Sequence, residues 1–407
     1  MGSTLLSDPT RQTLLSSTEC LQKLEFQYRE LEMQPFKRLH VALLMGFIVI
    51  SAAGVCAGEL IRFAFSMNHP EWAIAVDQIG PHLAVAIVLL AILAAAISTG
   101  RLNRLAYWKN RWEWSISIYQ GNSPFNFTAL GNTGAPVITA KHVTDVTADS
   151  VADPFMIHDR GTWYLFFEIF NIQTKRGEIG VSTSHDLATW SYGGIVLKER
   201  FHLSYPYVFR SNDDYYMIPE SRRANGIRLY RAQNFPSRWS LVKTLMEGPY
   251  VDASLVEFAA RWWLFVAEAP NNDTLRLFYS DGLLGPWKEH IKSPIVSGKP
   301  HIARPGGRVI VFRNRVIRYA QDDSPAYGNQ VWAFEIVRLT TTDYEEKQAT
   351  DFPIIKATGG KAWNGDGMHS IDPHRTSDNT WVACVDGLRL SKVLRPGPWL
   401  TSFRRLT

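Results

Sequence analysis

Acidic residues recur beside short apolar segments in the part of the chain after residue 150. Asp153 and Asp252 stand at the beginning of such a segment, and Glu220 stands at the end of one. Two carboxyl groups, one protonated and one ionised, act as general acid and general base, and pairs held roughly 5 to 9.5 Å apart cleave glycosidic bonds. We therefore predict Asp153, Glu220 and Asp252 as catalytic residues.

Glu220 is the predicted general acid. The apolar residues Tyr216, Met217 and Ile218 precede it and would desolvate its carboxyl group, which raises the pKa. Asp252 would orient substrate or adjust the pKa of a neighbour. The alternative for each acid is structural, namely a hydrogen bond to backbone amides of an adjacent part of the same domain.

Polar residues at comparable places are predicted to bind substrate, and Glu168 or Glu268 could replace Glu220 as the acid. The substrate-binding candidates are Glu168, Tyr205, Glu268, Arg304, Arg318, His369 and Asp372. Arg304 and Arg318 suit phosphate or sugar hydroxyl groups, or else neutralise nearby acids. The histidines and the three cysteines are too dispersed to predict a metal site, so we expect no metal and no cofactor.

These residues belong to a loose repeat. Each of five units begins with a short apolar strand that has a polar residue near its start, at residues 152, 204, 251, 303 and 369. A second strand ends in an acid about fifteen residues later, and a third strand follows in the first four units. The second strands end at Glu168, Glu220, Glu268, Asp322 and Asp386. This pattern predicts an all-β five-bladed β-propeller with both polar positions near its central channel, whereas a β-sandwich would not repeat them.

Closure of the ring requires a strand from outside the five units. The fifth unit has no third strand after Leu390. The segment WSISIYQG from Trp114 alternates apolar and polar residues as a strand does, and it has no partner strand of its own. We predict that Trp114–Tyr119 joins the last blade and covers its open edge. Residues 344–366 are expected to be an insertion before the fifth unit.

Two apolar segments precede the repeats and predict an N-terminal transmembrane helical hairpin. Residues 39–58 contain no charge over a length that suffices to cross a bilayer, and residues 83–97 form a shorter apolar run. The predicted domains are a cytoplasmic segment with an amphipathic helix at 1–38, the two transmembrane helices at 39–102 and the propeller at 103–407.

The charges around the hairpin predict its orientation. Basic residues flank both outer ends, at 37–38 and between 101 and 111, whereas the loop between the helices has almost none. By the positive-inside rule, the protein is multi-pass with both termini and the propeller in the cytoplasm. Aromatic residues follow the second helix as in an interfacial belt, namely Tyr107, Trp108, Trp112 and Trp114.

Several ordered motifs resemble one known family. They are ADPF at Ala152, HLSYPYVF at His202, MIPES at Met217, LYRAQNFPSRW at Leu229, VDAS at Val251, GPW at Gly285, GGR at Gly306 and WNGDGMHSID at Trp363. From Trp114 to Gly387 the chain resembles the N-terminal propeller domain of the plant glucosamine inositolphosphorylceramide transferases and of related bacterial proteins. The resemblance implies a propeller of the arabinanase and fructosidase type that builds or trims glycans and glycolipids, with Asp153 where such glycosidases have their base or nucleophile.

The chain also differs from the plant proteins. They have a separate C-terminal glycosyltransferase domain, whereas this chain ends at Thr407 and contains no Asp-x-Asp pair to hold a cation on a nucleotide sugar. We therefore do not expect nucleotide-sugar transfer by this chain alone. If the chain follows the plant relatives, its propeller is lumenal rather than cytoplasmic.

Together these features predict a membrane-anchored protein that acts on or binds a glycan or glycolipid. It would be a glycosidase or transglycosidase, or else a non-catalytic glycan-binding module for a separate glycosyltransferase partner. The formal net charge is +5, but Lys and Arg are scattered among acids and form no basic stripe, so we expect no nucleic-acid partner.

Overall fold

The computed structural model describes residues 106–131 and 134–396, together with Ala86. Apart from Ala86, the apolar segments and the amphipathic helix predicted in the N-terminal region lie outside the described residues. In the part of the chain that is described, we find no helix with the length and apolar character needed to span a bilayer. This part is nearly all β-structure, and residues Asn110–Lys392 form one compact unit.

Strands follow one another along the described chain, with short 3-10 helices at Ala140–His142 and Arg222–Ala224. The strands are β1 (Ala106–Ser123), β2 (Asn126–Ala129), β3 (Ala148–Asp159), β4 (Thr162–Asn171), β5 (Arg176–Ser184), β6 (Ser191–Leu197), β7 (Ser204–Ser211), β8 (Asp214–Glu220), β9 (Gly226–Asn234), β10 (Arg238–Glu247), β11 (Tyr250–Phe258), β12 (Arg261–Glu268), β13 (Leu275–Ser280), β14 (Lys288–Glu289), β15 (Ile310–Phe312), β16 (Arg315–Asp322), β17 (Gln330–Leu339), β18 (Tyr344–Gln348), β19 (Ile355–Lys356), β20 (Ile371–Arg375) and β21 (Trp381–Pro396).

These strands form five sheets, which are the five blades of a β-propeller. The first three blades contain β3 to β6, β7 to β10 and β11 to β14, each in sequence order from one edge to the other. The fourth contains β15 to β18, with β19 beside β17, and the fifth has the order β2, β1, β21, β20. The prediction of a five-bladed propeller is confirmed.

The fifth blade combines strands from both ends of the described chain. β1 lies between β2 and β21, which confirms the predicted closure of the ring by the segment around Trp114. Ile116 and Ile118 of β1 are fully buried in the same apolar cluster as Val382 and Cys384 of β21. Burial of these side chains removes apolar surface from water and so stabilises the join.

The stretch from Tyr344 to Asp366 differs from the expected insertion. Its first residues form β18, the outermost strand of the fourth blade, and β19 also pairs with β17. The sequence of β18, YEEKQ, is mostly charged. An outer strand exposes much of its surface to water and tolerates charge, so it lacks the apolar alternation by which inner strands are found.

The innermost strands of the first three blades share one backbone irregularity. Asp153, Tyr205 and Asp252 have φ angles of +52°, +45° and +53°, in the left-handed region that is unfavourable for residues with a Cβ atom. Each lies where the pairing with the second strand shifts register, as at a β-bulge. The same irregularity therefore sets the direction of three polar side chains in consecutive blades.

Candidate functional site

The ends of β4 and β8 place two acids beside these irregular positions. Glu168 pairs with Ala152, the residue before Asp153. Glu220 pairs with Ser204, the residue before Tyr205. Blades one and two therefore present equivalent carboxyl groups at the same end of their second strands.

Glu268 does not have the equivalent place in the third blade. Val251, the residue before Asp252, pairs with Ala267, and Glu268 lies one residue further along β12. Because successive side chains of a strand point to opposite faces, this single step turns Glu268 away. Its carboxylate instead lies 2.7 Å from Nε of Arg276 and is partly exposed. The expected role of Glu268 in substrate binding or as an alternative acid is at odds with this placement.

Asp153 belongs to a buried chain of hydrogen bonds with His369 and Asp386. Nε2 of His369 lies 3.1 Å from Asp153 Oδ1, and Nδ1 lies 3.0 Å from Asp386 Oδ1. The other oxygen of Asp153 accepts a hydrogen bond of 3.2 Å from the backbone N–H of Tyr205. Trp114 packs on the imidazole with ring centroids 4.2 Å apart, so this residue is buried rather than part of an interfacial belt.

The charges in this chain of hydrogen bonds stabilise one another. Burial lowers the pKa of His369, but the carboxylates of Asp386 and Asp153 outweigh it and raise that pKa well above its ordinary value. Burial likewise raises the pKa of Asp153, but the hydrogen bond and charge of His369 leave it below its ordinary value. These contacts therefore favour the ionised form of Asp153 and the protonated form of His369.

The same three residues offer ligand atoms within 4.8 Å of one another, close enough to hold a metal ion. A metal ion binds a neutral imidazole through a free ring nitrogen. Both nitrogens of His369 are already hydrogen bonded to carboxylates in this structure. The arrangement therefore suits a hydrogen-bonded chain that orients Asp153 better than it suits a metal centre.

Asp252 is fixed by a second buried set of contacts. Its Oδ2 accepts hydrogen bonds from Nε of Arg304 at 2.6 Å and from Nε2 of Gln321 at 2.9 Å, whereas Oδ1 is buried and has no hydrogen-bond partner among the described residues. Burial raises the pKa of Asp252 although the charge of Arg304 lowers it. Arg304 also lies over the ring of Tyr327, 5.2 Å from its centroid. Arg304, which was predicted to bind substrate, is therefore already engaged by other side chains of the protein.

Glu220 differs from the two aspartates because it lines an open cavity of about 570 Å³. Its Oε1 accepts a hydrogen bond of 3.2 Å from the backbone N–H of Arg222. Burial and then the charge of Asp252 raise the pKa of Glu220 from 4.5 to about 7. Glu220 therefore has a proton to donate near neutral pH, and it faces a space that a ligand can enter.

Glu168 lies close to this cavity, with Oε1 at 3.5 Å from Nε2 of His202, a residue of the cavity wall. Burial and the charge of Asp153 raise the pKa of Glu168 well above its ordinary value, and burial lowers the pKa of His202. Both shifts favour the uncharged forms of the two groups, so burial weakens the ionic character of the contact between them.

Three predicted substrate-binding residues are directed into the protein instead. The hydroxyl of Tyr205 contacts the Ser254 hydroxyl at 2.8 Å and donates to the Gly307 carbonyl at 3.0 Å. Arg318 makes a bidentate pair with Glu346, both contacts being 2.6 Å. Asp372 is fully buried and accepts from Arg308 and from the backbone of Met156. Each of these side chains is already engaged by neighbouring strands or blades.

Sequence reasoning missed the other residues that line the cavity, namely Phe170, Lys175, Arg176, Arg200, Phe201, His202, Arg222 and Arg223. A signal for them exists in the sequence. Two basic pairs, Lys175 with Arg176 and Arg222 with Arg223, follow the acid-bearing second strands of the first two blades. Equivalent turns in neighbouring blades lie on one rim of a propeller, so these pairs converge.

Residues 108–388 match the family described as glucosamine inositolphosphorylceramide transferase 1, N-terminal. The chain belongs to this family. The resemblance inferred from the motifs is confirmed.

Curated relatives include the protein named glucosamine inositolphosphorylceramide transferase 1 in two plants. The protein from Oryza sativa subsp. japonica is 39% identical over 295 residues, which is 67% of this chain and 40% of that protein. The protein from Arabidopsis thaliana is 35% identical over 295 residues, which is 67% of this chain and 39% of that protein. The match spans about two fifths of the length of these relatives.

Solved structures with a similar fold include carbohydrate-active enzymes. An exo-beta-1,3-galactanase from Clostridium thermocellum has a TM-score of 0.48 at 14% identity, covering 57% of this chain and 55% of that one. The catalytic domain of a GH62 alpha-L-arabinofuranosidase from Coprinopsis cinerea has a TM-score of 0.45 at 12% identity, covering 68% of this chain and 97% of that one.

Proposed function

We propose that the propeller acts on the carbohydrate head group of a glycolipid, with Glu220 as proton donor and Asp153 as the ionised carboxylate. The supporting observation is the opposite direction of two pKa shifts, since that of Glu220 is raised to about 7 and that of Asp153 is lowered. Two carboxyl groups with separated pKa values are what glycosidic cleavage or transfer requires. Membership of a family named for glycolipid transferases supports a glycolipid-related substrate.

In this mechanism, Glu220 gives its proton to the glycosidic oxygen as the bond from that oxygen to the anomeric carbon breaks. Asp153 accepts a proton from the water or sugar hydroxyl that attacks the anomeric carbon. His369 orients Asp153, and burial together with the charge of Asp252 keeps the pKa of Glu220 high. His369 and Asp252 are thus positioning residues in this proposal.

A non-catalytic glycan-binding module for a separate glycosyltransferase is the second candidate. The observation that favours it is the engagement of Asp153, since His369 occupies one carboxylate oxygen and the Tyr205 N–H occupies the other. These contacts stabilise the ionised carboxylate and so make Asp153 a weaker base. Binding of a glycan requires no proton transfer to Asp153.

Turnover by the full chain distinguishes the two candidates. The probes are a panel of 4-nitrophenyl glycosides and glycosylated inositolphosphorylceramides, with released or transferred sugar as the readout. We expect Glu220→Gln to lower kcat about 10²- to 10⁴-fold while the glycan still binds. Glu268→Gln is the matched control, because that acid pairs with Arg276 and does not line the cavity, and it should leave kcat unchanged. Binding without turnover in the unaltered protein would favour the module.

We also propose that residues 39–58 and 83–97 anchor the chain as a multi-pass membrane protein with a cytoplasmic propeller, as their flanking charges suggest. Two glycosylation sequons, at Asn126 and Asn272, report the orientation because neither asparagine is buried. When the full chain is expressed in a eukaryotic host, we expect no glycan at either position. A glycan at Asn126 or Asn272 would place the propeller in the lumen and reverse the orientation.

A further inference from the structure

Five basic residues surround the cavity beside Glu220. Three adjoining segments supply them: the β4–β5 turn and the start of β5, the connection before β7 and the turn after β8. They are Lys175, Arg176, Arg200, Arg222 and Arg223. Glu220 is the one acid among the residues that line this cavity, and its pKa of about 7 leaves it largely uncharged below that pH.

None of these five side chains forms an ion pair with an acid of the described chain. The nearby acids in sequence have other partners: Glu178 accepts from Thr174 at 3.1 Å, and Glu199 accepts from Tyr230 at 2.9 Å. Arg176 donates to the carbonyl of Arg200, while its buried Nε has no hydrogen-bond partner among the described residues. The cavity therefore holds positive charge and at least one buried donor without a matching acceptor.

Like charges gathered around one cavity repel one another, and an anion bound between them offsets that repulsion. A phosphate ester fits this excess of positive charge better than a carboxylate does, because its oxygens accept hydrogen bonds from several guanidinium groups at once. The rings of Phe170 and Phe201 line the same cavity and give it apolar walls. Such walls suit the carbon skeleton of a sugar or polyol that carries the phosphate.

We infer that this cavity binds a phosphate ester of a sugar or polyol, with the esterified ring beside the carboxyl group of Glu220. The inference deepens the proposed function, on which it rests for the identity of the neighbouring site. Binding itself requires no turnover, so the two ideas can fail separately. The phosphate can belong to a lipid head group or to a soluble sugar phosphate, since the chemistry of recognition is the same.

The test measures binding to the full chain in detergent, with myo-inositol 1-phosphate as probe and myo-inositol and glucuronate as comparisons. We expect the phosphate ester to bind at least about tenfold more tightly than either, because charge-assisted hydrogen bonds are lost without it. The double variant Arg222→Ala/Arg223→Ala should weaken binding about tenfold or more. Arg375→Ala/Arg389→Ala removes the same charge from exposed positions in the fifth blade and should have no effect.

Equal weakening by both double variants would show that binding follows net charge alone, and this would overturn the subsite. Equal affinity for glucuronate would overturn the preference for phosphate. Vesicles containing phosphatidylinositol separate the two sources of phosphate, and either source supports the subsite provided that only the cavity variant loses binding. If the double variant does not fold, the single variant Arg223→Gln, at an exposed position, tests the same subsite and should lose less binding affinity.

The outcome is separate from that of the catalytic proposal. Phosphate binding without any turnover would leave the subsite standing and remove the proposed acid–base mechanism. Turnover that depends on Glu220, together with no preference for the phosphate ester, would support the acid–base mechanism and remove the phosphate subsite.

Discussion

Arginines of the propeller occur in two contrasting surroundings. Near the centre, Arg308 pairs with Asp372 of the fifth blade and donates to the carbonyls of Met156 and Val208, in the first and second blades, at 3.1 and 2.8 Å. One guanidinium thus connects blades that are distant in sequence. At the cavity, Arg222 and Arg223 have no acidic partner among the described residues, and Arg223 is exposed.

The difference separates two uses of the same side chain. A buried cation that is surrounded by acceptors holds the fold together, because removing it leaves its partners buried and unpaired. A cation at an open cavity keeps its donors for a ligand and adds little to stability. Positive charge near the propeller's channel is therefore evidence for a binding site only where its partners are missing.

The largest expected effect is at the paired centre. Arg308→Ala should lower the free energy of unfolding by about 3 to 5 kcal/mol, since the buried carboxylate of Asp372 would lose the Arg308 cation and keep only its contact with His374 at 2.9 Å among these two partners. Denaturant-induced unfolding of the purified chain measures this change. The double variant Arg308→Met/Asp372→Leu removes both charges and should be less damaging than Arg308→Ala. A loss below about 0.5 kcal/mol for Arg308→Ala would show that the central pair does not hold the blades together.

The fold was largely predictable because its signals are local and repeated. Short apolar strands that end in an acid identify the blades, and the unpaired strand at Trp114 indicates how the ring closes. The charged strand β18 was missed because an outer strand does not show the apolar alternation of a half-buried one.

The site was less predictable because it depends on register. The spacing from the left-handed residue to the acid is fifteen in the first two blades and sixteen in the third, and that one residue turns Glu268 to the other face. The partners of Arg318 and Asp372 also lie on other strands or blades, so no local pattern shows that these two are engaged internally.

A smaller effect is expected from the proton on Glu220. Its pKa rises from 4.5 in the unfolded chain to about 7 in the folded protein, so folding favours the protonated form. The resulting stabilisation is fully present below pH 4.5 and is lost as the pH rises through 7. Glu220→Gln has no such proton. From pH 4.5 to pH 8, the free energy of unfolding of the Glu220→Gln variant should therefore rise by about 3 kcal/mol relative to that of the unaltered protein.

This comparison is made by denaturant unfolding at both pH values, with Glu268→Gln as control. That control is an acid of the third blade whose carboxylate contacts Arg276 and does not line the cavity. A difference between Glu220→Gln and the unaltered protein that stays constant with pH would mean that Glu220 is ionised in the folded state. In that case Glu220 could not be the proton donor.

The smallest expected effect completes the contrast with Arg308. Arg223 is exposed and has no ion pair among the described residues, so Arg223→Ala should change the free energy of unfolding by no more than about 0.5 kcal/mol. At low ionic strength the change should be slightly stabilising, because one of five like charges around the cavity is removed. Added salt should abolish that gain, since it screens repulsion between exposed charges. Denaturant unfolding of Arg223→Ala at low and high salt measures both effects. A loss of more than about 1.5 kcal/mol in the free energy of unfolding would mean that Arg223 is a structural residue like Arg308. That result would remove the basis for assigning the cavity to a ligand.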